Sequence, residues 1–114
     1  MEMLQDVDLQ PYNSFSVPAR AAHFVAVNHA EDLPAVFRHA AKANLRVLVL
    51  GGGSNVLFVN DYPGLVLHMS NQGMEFNEAT GHVRVAAGEN WHQFVTACLK
   101  NGFHGLENLA LIPG

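Results

Sequence analysis

The residues in this chain whose types and spacing most suggest chemistry are Gly51-Gly52-Gly53-Ser54-Asn55. They follow the apolar run Val47-Leu48-Val49-Leu50 and precede Val56-Leu57-Phe58-Val59. Three adjacent glycines cost backbone entropy on folding, and they allow positive φ angles and close approach of a ligand to the backbone. Successive N–H groups in such a turn can converge into a concave anion site. Ser54 and Asn55 add a hydroxyl and an amide that can bond phosphate oxygens. The same run also serves as a tight turn between two strands, and the local pattern alone leaves both readings open.

Two well-known glycine loops do not fit. The dinucleotide fingerprint G-x-G-x-x-G needs a third glycine where Val56 stands, and a helix where Val56-Leu57-Phe58-Val59 reads as strand. The P-loop needs a lysine after its last glycine, and no Lys occurs between Lys42 and Lys100. A phosphate bound here would therefore be held by neutral donors, which suits the diphosphate bridge of a cofactor better than a phosphoryl group in transfer.

Other candidates are weaker. The seven histidines, His23, His29, His39, His68, His82, His92 and His104, never pair at i, i+3 or i+4 on one helix, so a metal site would need ligands converging from separate elements and none is expected. Cys98 falls on an apolar stripe and reads as a buried thiol. Trp91 reads as a packing residue, with a place beside a bound ring system as the alternative. Glu89 and Asp61 lack a carboxylate partner and read as solvated or capping groups rather than an acid or base. Glu107 and Asn108 read as turn-ordering residues.

The elements that must position the loop follow from periodicity. His23–Val27 reads as a strand. Asp32 can cap a helix with Pro34 in its first turn, and Leu33, Val36, Phe37, Ala40 and Ala41 form its apolar stripe, with Asn44 as the stop. Val47–Leu50 reads as a strand buried on both faces. Strand, helix and strand make a βαβ unit with the glycine loop at the carboxyl end of its second strand, where ligands of α/β folds commonly sit. Further strands are expected at Val56–Val59, Leu65–His68, Met74–Asn77 and around Val83–Ala87. A second helix carries Trp91, Phe94, Val95, Cys98 and Leu99 on one face and stops at Asn101-Gly102. Residues 1–12 show no clear period and read as a lead-in.

At 114 residues this is one domain at most, and a hydrophobic content of 49% with 14% charged residues can build a core. A net charge of −4 with six Lys and Arg argues against nucleic acid and anionic membrane surfaces as partners. The apolar runs fall far short of a membrane span, the N-terminus lacks a signal-peptide pattern, and a single cysteine fits a reducing cytoplasm. Leu109-Ala110-Leu111-Ile112-Pro113-Gly114 is an apolar run into a Pro-Gly turn, so more chain is expected beyond it.

Four segments in order carry a family resemblance: Asn13-Ser14-Phe15, Val49–Leu57, Gly88-Glu89-Asn90-Trp91 and Gly105–Gly114. From about Asn13 onward the chain resembles the N-terminal part of the UDP-N-acetylenolpyruvoylglucosamine reductases, also called UDP-N-acetylmuramate dehydrogenases. The resemblance implies an α/β (α+β) fold: the first lobe of a vanillyl-alcohol-oxidase-type (PCMH-type) FAD-binding domain over residues 13–114, with the substrate domain outside this chain. It implies a cytoplasmic flavoprotein oxidoreductase of bacterial peptidoglycan synthesis, and hence of cell-wall growth and division. NADPH would reduce the enolpyruvyl ether of a UDP-sugar through FAD. By position, Gly51, Gly52, Gly53, Ser54 and Asn55 would bind the FAD diphosphate, and Leu111, Ile112, Pro113 and Gly114 would open a second loop along the flavin. The family's catalytic serine, glutamate and arginine would all lie beyond Gly114, so no catalytic residue is assigned and the 114 residues alone are expected to be inactive. The competing expectation is a non-catalytic α/β module that binds a nucleotide or small anion through the glycine loop.

Overall fold

The structure is a computed structural model describing residues 1–113. Strands β1 (Met3–Asp8), β2 (Arg20–Val27), β3 (Val47–Leu50) and β4 (Tyr62–Met69) form one sheet in the order β1-β2-β4-β3. Helix α1 (Leu33–Lys42) joins β2 to β3. Strands β5 (Met74–Asn77) and β6 (His82–Val85) pair antiparallel as a separate hairpin, followed by helix α2 (Trp91–Lys100).

The sheet is organised by β4. It runs parallel to both β2 and β3, with Phe24, Leu48 and Val66 in one row and Val25, Val49 and Leu67 in the next. Leu65, Val66 and Leu67 are fully buried. Alternation sends them to opposite sides. Leu65 and Leu67 pack with Val25, Val27, Val36 and Ala40 beneath α1, whereas Val66 packs with Leu9, Phe24, Leu50 and Phe58 on the other face. Continuous apolar sequence is what a two-sided strand requires.

Several expectations are corrected. Val47–Leu50 is an edge strand, because β4 inserts between β2 and β3; Leu50 is buried but Val49 is 57% exposed. A short apolar run cannot by itself distinguish an edge from a centre. Val56–Val59 is irregular rather than a strand. The segment pairs with neither edge of the sheet; it is held by Phe58, which is buried with Leu9, Leu50 and Val66, while Leu57 and Val59 face outward. Residues 1–12, where the sequence shows no period, contain β1, which is antiparallel to β2. The α1 stripe is narrower than its periodicity implies: Val36 and Ala40 are buried and Phe37 is 47% exposed. Asp32 makes no side-chain cap, because its backbone is already helical and a 3-10 turn over Ala30–Asp32 leads into α1.

Both helix stops are as read. Asn44 takes φ 52° and Gly102 φ 79°. At each, the next residue's N–H bonds a carbonyl five residues back, Leu45 to Ala40 and Phe103 to Cys98, both at 2.8 Å. This Schellman arrangement satisfies carbonyls that the helix leaves open.

The chain extends 45 × 30 × 17 Å with a radius of gyration of 16.1 Å. A compact domain of this length would have about 13 Å. The elongation reflects the two layers, the four-stranded sheet with α1 and the hairpin with α2. Leu67→Ala is expected to cost about 2–5 kcal/mol by opening a cavity under α1. Val49→Thr, on the exposed face of the edge strand, is expected to stay within about 0.5 kcal/mol. Urea unfolding of the two variants checks the contrast.

Candidate functional site

The glycine loop leaves β3 where Leu50 pairs with His68. Gly53 has φ 74°, and a Cβ there would collide with the carbonyl of Tyr12. Ser14 N–H donates to Gly53 O at 3.0 Å. The tight approach at Gly53 is therefore to the chain's own backbone, whereas Gly51 has open space where a Cβ would stand. Beneath the loop, the His68 ring lies 5.1 Å from Tyr12 and 6.0 Å from Phe24, and its Nδ1 is 2.9 Å from Ser70 Oγ. Burial pushes the His68 imidazole below its ordinary value, and a backbone interaction with Gly51 opposes the shift.

A groove of about 380 Å³ lies beside the loop, and all four sequence segments reach it. Ser14 comes from the first, Gly52 and Ser54 from the second, Gly88 through His92 from the third, and Leu111 and Ile112 from the fourth. No Lys or Arg lines it. The N-terminal end of α2 opens here. Asn90 caps it, its Oδ1 accepting from Gln93 N at 2.9 Å. The first amides of a helix have no intrahelical partner and carry a positive partial charge, which favours an anion. Backbone glycine, hydroxyls and a helix N-terminus are a donor set that fits a diphosphate without a cation; the one carboxylate in the lining, Glu89, is engaged by the Gly73 N–H.

The floor and rim are tied together by side chains. Trp91 Nε1 donates to Leu109 O at 2.7 Å and its ring lies 5.6 Å from Phe94, so the indole pins the last segment to α2. Leu111 sits at the rim with φ 62°, a left-handed backbone unusual for leucine. Gly88 is needed for close packing, since a Cβ there would press on the Asn71 backbone at 2.5 Å. A second groove of about 290 Å³ shares Glu89, Trp91 and Ile112 with the first and adds Pro113, Val85 and Phe94.

Of the expected cofactor-binding residues, Gly52, Ser54, Leu111 and Ile112 line the groove and Pro113 lines its neighbour. Gly53 supports the loop from behind, and Gly51 and Asn55 line neither groove. Gly114 lies outside the described residues. Ser14, Asn90 and His92 were not among the expected cofactor-binding residues. The signal for Asn90 is an N-cap residue one position before the α2 stripe, whereas nothing local marks Ser14 as a wall of the groove.

Three carboxylates that sequence alone left open have backbone partners, and one of them, Glu89, also lines both grooves. Glu89 Oε1 accepts from Gly73 N at 2.8 Å, and Asp61 Oδ1 from Arg20 N at 2.9 Å. Glu107 Oε2 accepts from Gly105 N at 2.7 Å, which lowers its pKa. Cys98 is buried and its thiol is pushed up by desolvation. Among the described residues, no three His, Cys, Asp or Glu side chains gather as a metal site, and no helix is long and apolar enough to cross a membrane.

A mixed sheet, parallel at β2, β4 and β3 and covered by a helix, with a groove free of Lys and Arg beside the glycine loop, is the frame of a cofactor-binding α/β domain. The chain belongs to the FAD binding domain family, whose model matches residues 21–114. It is 49% identical over 117 residues to the UDP-N-acetylenolpyruvoylglucosamine reductase of Chromobacterium violaceum, covering 100% of this chain and 34% of that protein. The reductases of the same name from Neisseria gonorrhoeae and Salmonella typhimurium are 47% identical over 110 residues and 44% over 108, covering 94% and 93% of this chain and 32% of each relative. The chain thus spans about a third of the length of these curated relatives. In fold it is similar to the crystal structure of the Thermus caldophilus enzyme of that name, with a TM-score of 0.66 at 24% identity over 98% of this chain and 38% of that one. It is similar also to CrmK, a flavoenzyme of caerulomycin biosynthesis, with a TM-score of 0.68 at 18% identity over 88% of this chain and 22% of that one.

Two outcomes follow from the loop's geometry. Gly53→Ala combines a positive φ with a backbone collision and is expected to destabilise by about 1–3 kcal/mol or more, whereas Gly51→Ala is expected to stay below about 1 kcal/mol; thermal and urea unfolding report both. Because the folded pKa of His68 lies below the unfolded one, stability from this group is full above the ordinary value near 6.5 and falls as pH drops toward the folded value. His68→Gln is expected to remove that part of the acid sensitivity, read as the urea midpoint at pH 7.5 against pH 5.5.

Proposed function

We propose that this chain supplies the first FAD-binding lobe of a UDP-N-acetylenolpyruvoylglucosamine reductase, a cytoplasmic enzyme of bacterial cell-wall synthesis. The observation that carries the reading is the convergence of four separate segments on one cation-free groove. When bound, FAD would accept hydride from NADPH and pass it to the enolpyruvyl ether of a UDP-sugar. The chain's own part is to bind and orient. The Gly52 backbone, the Ser54 hydroxyl and the N-terminal amides of α2 are placed to hold the diphosphate. Trp91 holds the Leu109–Pro113 segment against α2, so that the second expected loop starts at the groove's rim. Asn55, Gly51 and Gly53 shape the loop in this reading, and Gly114 continues the rim segment. Groups that protonate and orient the substrate belong to the part of such enzymes beyond this chain, so these residues alone bind without turnover.

Trp91 is the single tryptophan and lines the groove, so its emission reports occupancy directly. FAD is expected to quench it and to co-elute with the chain on a sizing column. Gly52→Val and Ser54→Ala are expected to weaken binding, the first by blocking the backbone and the second by about fivefold to tenfold, the size of one hydrogen bond. Absence of both quenching and co-elution from a folded chain would overturn the reading. ADP binding as tightly as FAD would favour a general nucleotide module instead.

A further inference from the structure

Asn13 is the one buried polar side chain in the described core, 5% exposed. A buried amide is costly unless its donors and acceptor are all engaged. Here they are. Nδ2 donates to Leu9 O at 2.8 Å and to Val17 O at 3.2 Å, and Oδ1 accepts from Val17 N at 3.0 Å. The same turn is closed by Tyr12 N to Leu9 O at 2.9 Å and Ser16 N to Asn13 O at 3.1 Å. One side chain thus fixes both ends of the Leu9–Val17 turn.

That turn is the surface against which the glycine loop rests. The Tyr12 carbonyl and the Asn13 Cα are the atoms that a Cβ on Gly53 would strike, and Ser14 N–H holds the Gly53 carbonyl. Ser14 then becomes the groove's wall opposite α2. Moving the turn by an ångström would release the loop and displace that wall together. The knot has no contact of its own with the groove, so it acts through Ser14 and Gly53.

We infer that Asn13 is a positioning residue of the cofactor site: its buried amide knot sets the place of Ser14 and Gly53, and through them the presentation of Gly52 and Ser54 to the ligand. The inference rests on the FAD reading for what is bound, but the positioning itself does not. A shorter side chain cannot span the turn. An aspartate of the same shape keeps the acceptor for Val17 N–H but, when charged, faces the two carbonyl oxygens of Leu9 and Val17. Desolvation and those oxygens favour its protonated form, so the carboxyl is held above its usual range. Protonated, it regains one donor.

The test is amide hydrogen exchange, expressed as protection factors, on the 114-residue chain and its variants Asn13→Asp and Asn13→Ala. In the unaltered chain the Asn13 side-chain amide and the Ser14 backbone amide are expected to be protected. In Asn13→Asp at pH 7.5, protection of the Ser14 amide, which donates to the Gly53 carbonyl, is expected to fall about tenfold while β4 keeps its protection, and the loss is expected to shrink as pH falls to 5. Asn13→Ala should show the loss without the recovery. FAD affinity, read by Trp91 quenching, should follow Ser14 protection in each variant. Unprotected Asn13 and Ser14 amides in the unaltered chain, or undiminished Ser14 protection in Asn13→Asp, would overturn the inference. So would an equal loss of protection in β4, which marks a merely structural role. If the unaltered chain binds no FAD, the cofactor reading fails, while the exchange measurements still decide what Asn13 does.

Discussion

Everything in this molecule hangs on the two-sided burial of β4. Its residues Leu65, Val66 and Leu67 are shielded from water on both faces, which requires a helix on one side and an irregular cover on the other. α1 supplies the first through Val36 and Ala40. The second is assembled from Leu9, Phe58 and the turn around Asn13. Because the parallel strands β3 and β4 end together at Leu50 and His68, the chain leaving β3 must cross that same end. The glycine loop is thereby held between a rigid sheet edge and a rigid turn. The candidate site sits where two demands of packing leave a short stretch of backbone facing outward.

The sequence was most legible where a single interaction decides local structure. Asn44 and Gly102 end their helices because a positive φ is needed there and these residues tolerate it. The α2 stripe reads correctly at Phe94, Val95 and Cys98, which are buried, but not at Leu99, which lies at the margin of that face and is 41% exposed. The glycine loop stood out by composition, and its place at the end of β3 followed from the βαβ pattern. The illegible parts depend on partners distant in sequence. Nothing near Val47–Leu50 says that β4 will take the inner position, and nothing near Val56–Val59 says that the segment will pair with no strand. Phe58 is buried alone, a pattern that no period of two records.

The site follows the same division. Gly52, Ser54, Leu111 and Ile112, distant in sequence, line one groove. Gly53 is glycine for a reason the local pattern could not reveal: the Tyr12 carbonyl occupies the space of its side chain. The contact joins positions about 40 residues apart, and only the folded chain brings them together. Ser14 is likewise a wall only because Asn13 is a knot. The four segments are thus one device: a loop, the turn that braces it, the helix end that faces it, and the tryptophan that draws the last segment to its rim.

The absence of Lys and Arg from the groove has a kinetic side. With a net charge of −4, the chain offers a dianionic bridge no long-range attraction and a weak overall repulsion. Encounter is then governed by diffusion and by shape, and added salt screens the repulsion instead of weakening a contact. In the proposed reading, a diphosphate would be held by short-range dipoles oriented before it arrives, and with Glu89 in the lining the site would discriminate by fit at close quarters and gather fewer free phosphates than a lysine-lined cleft.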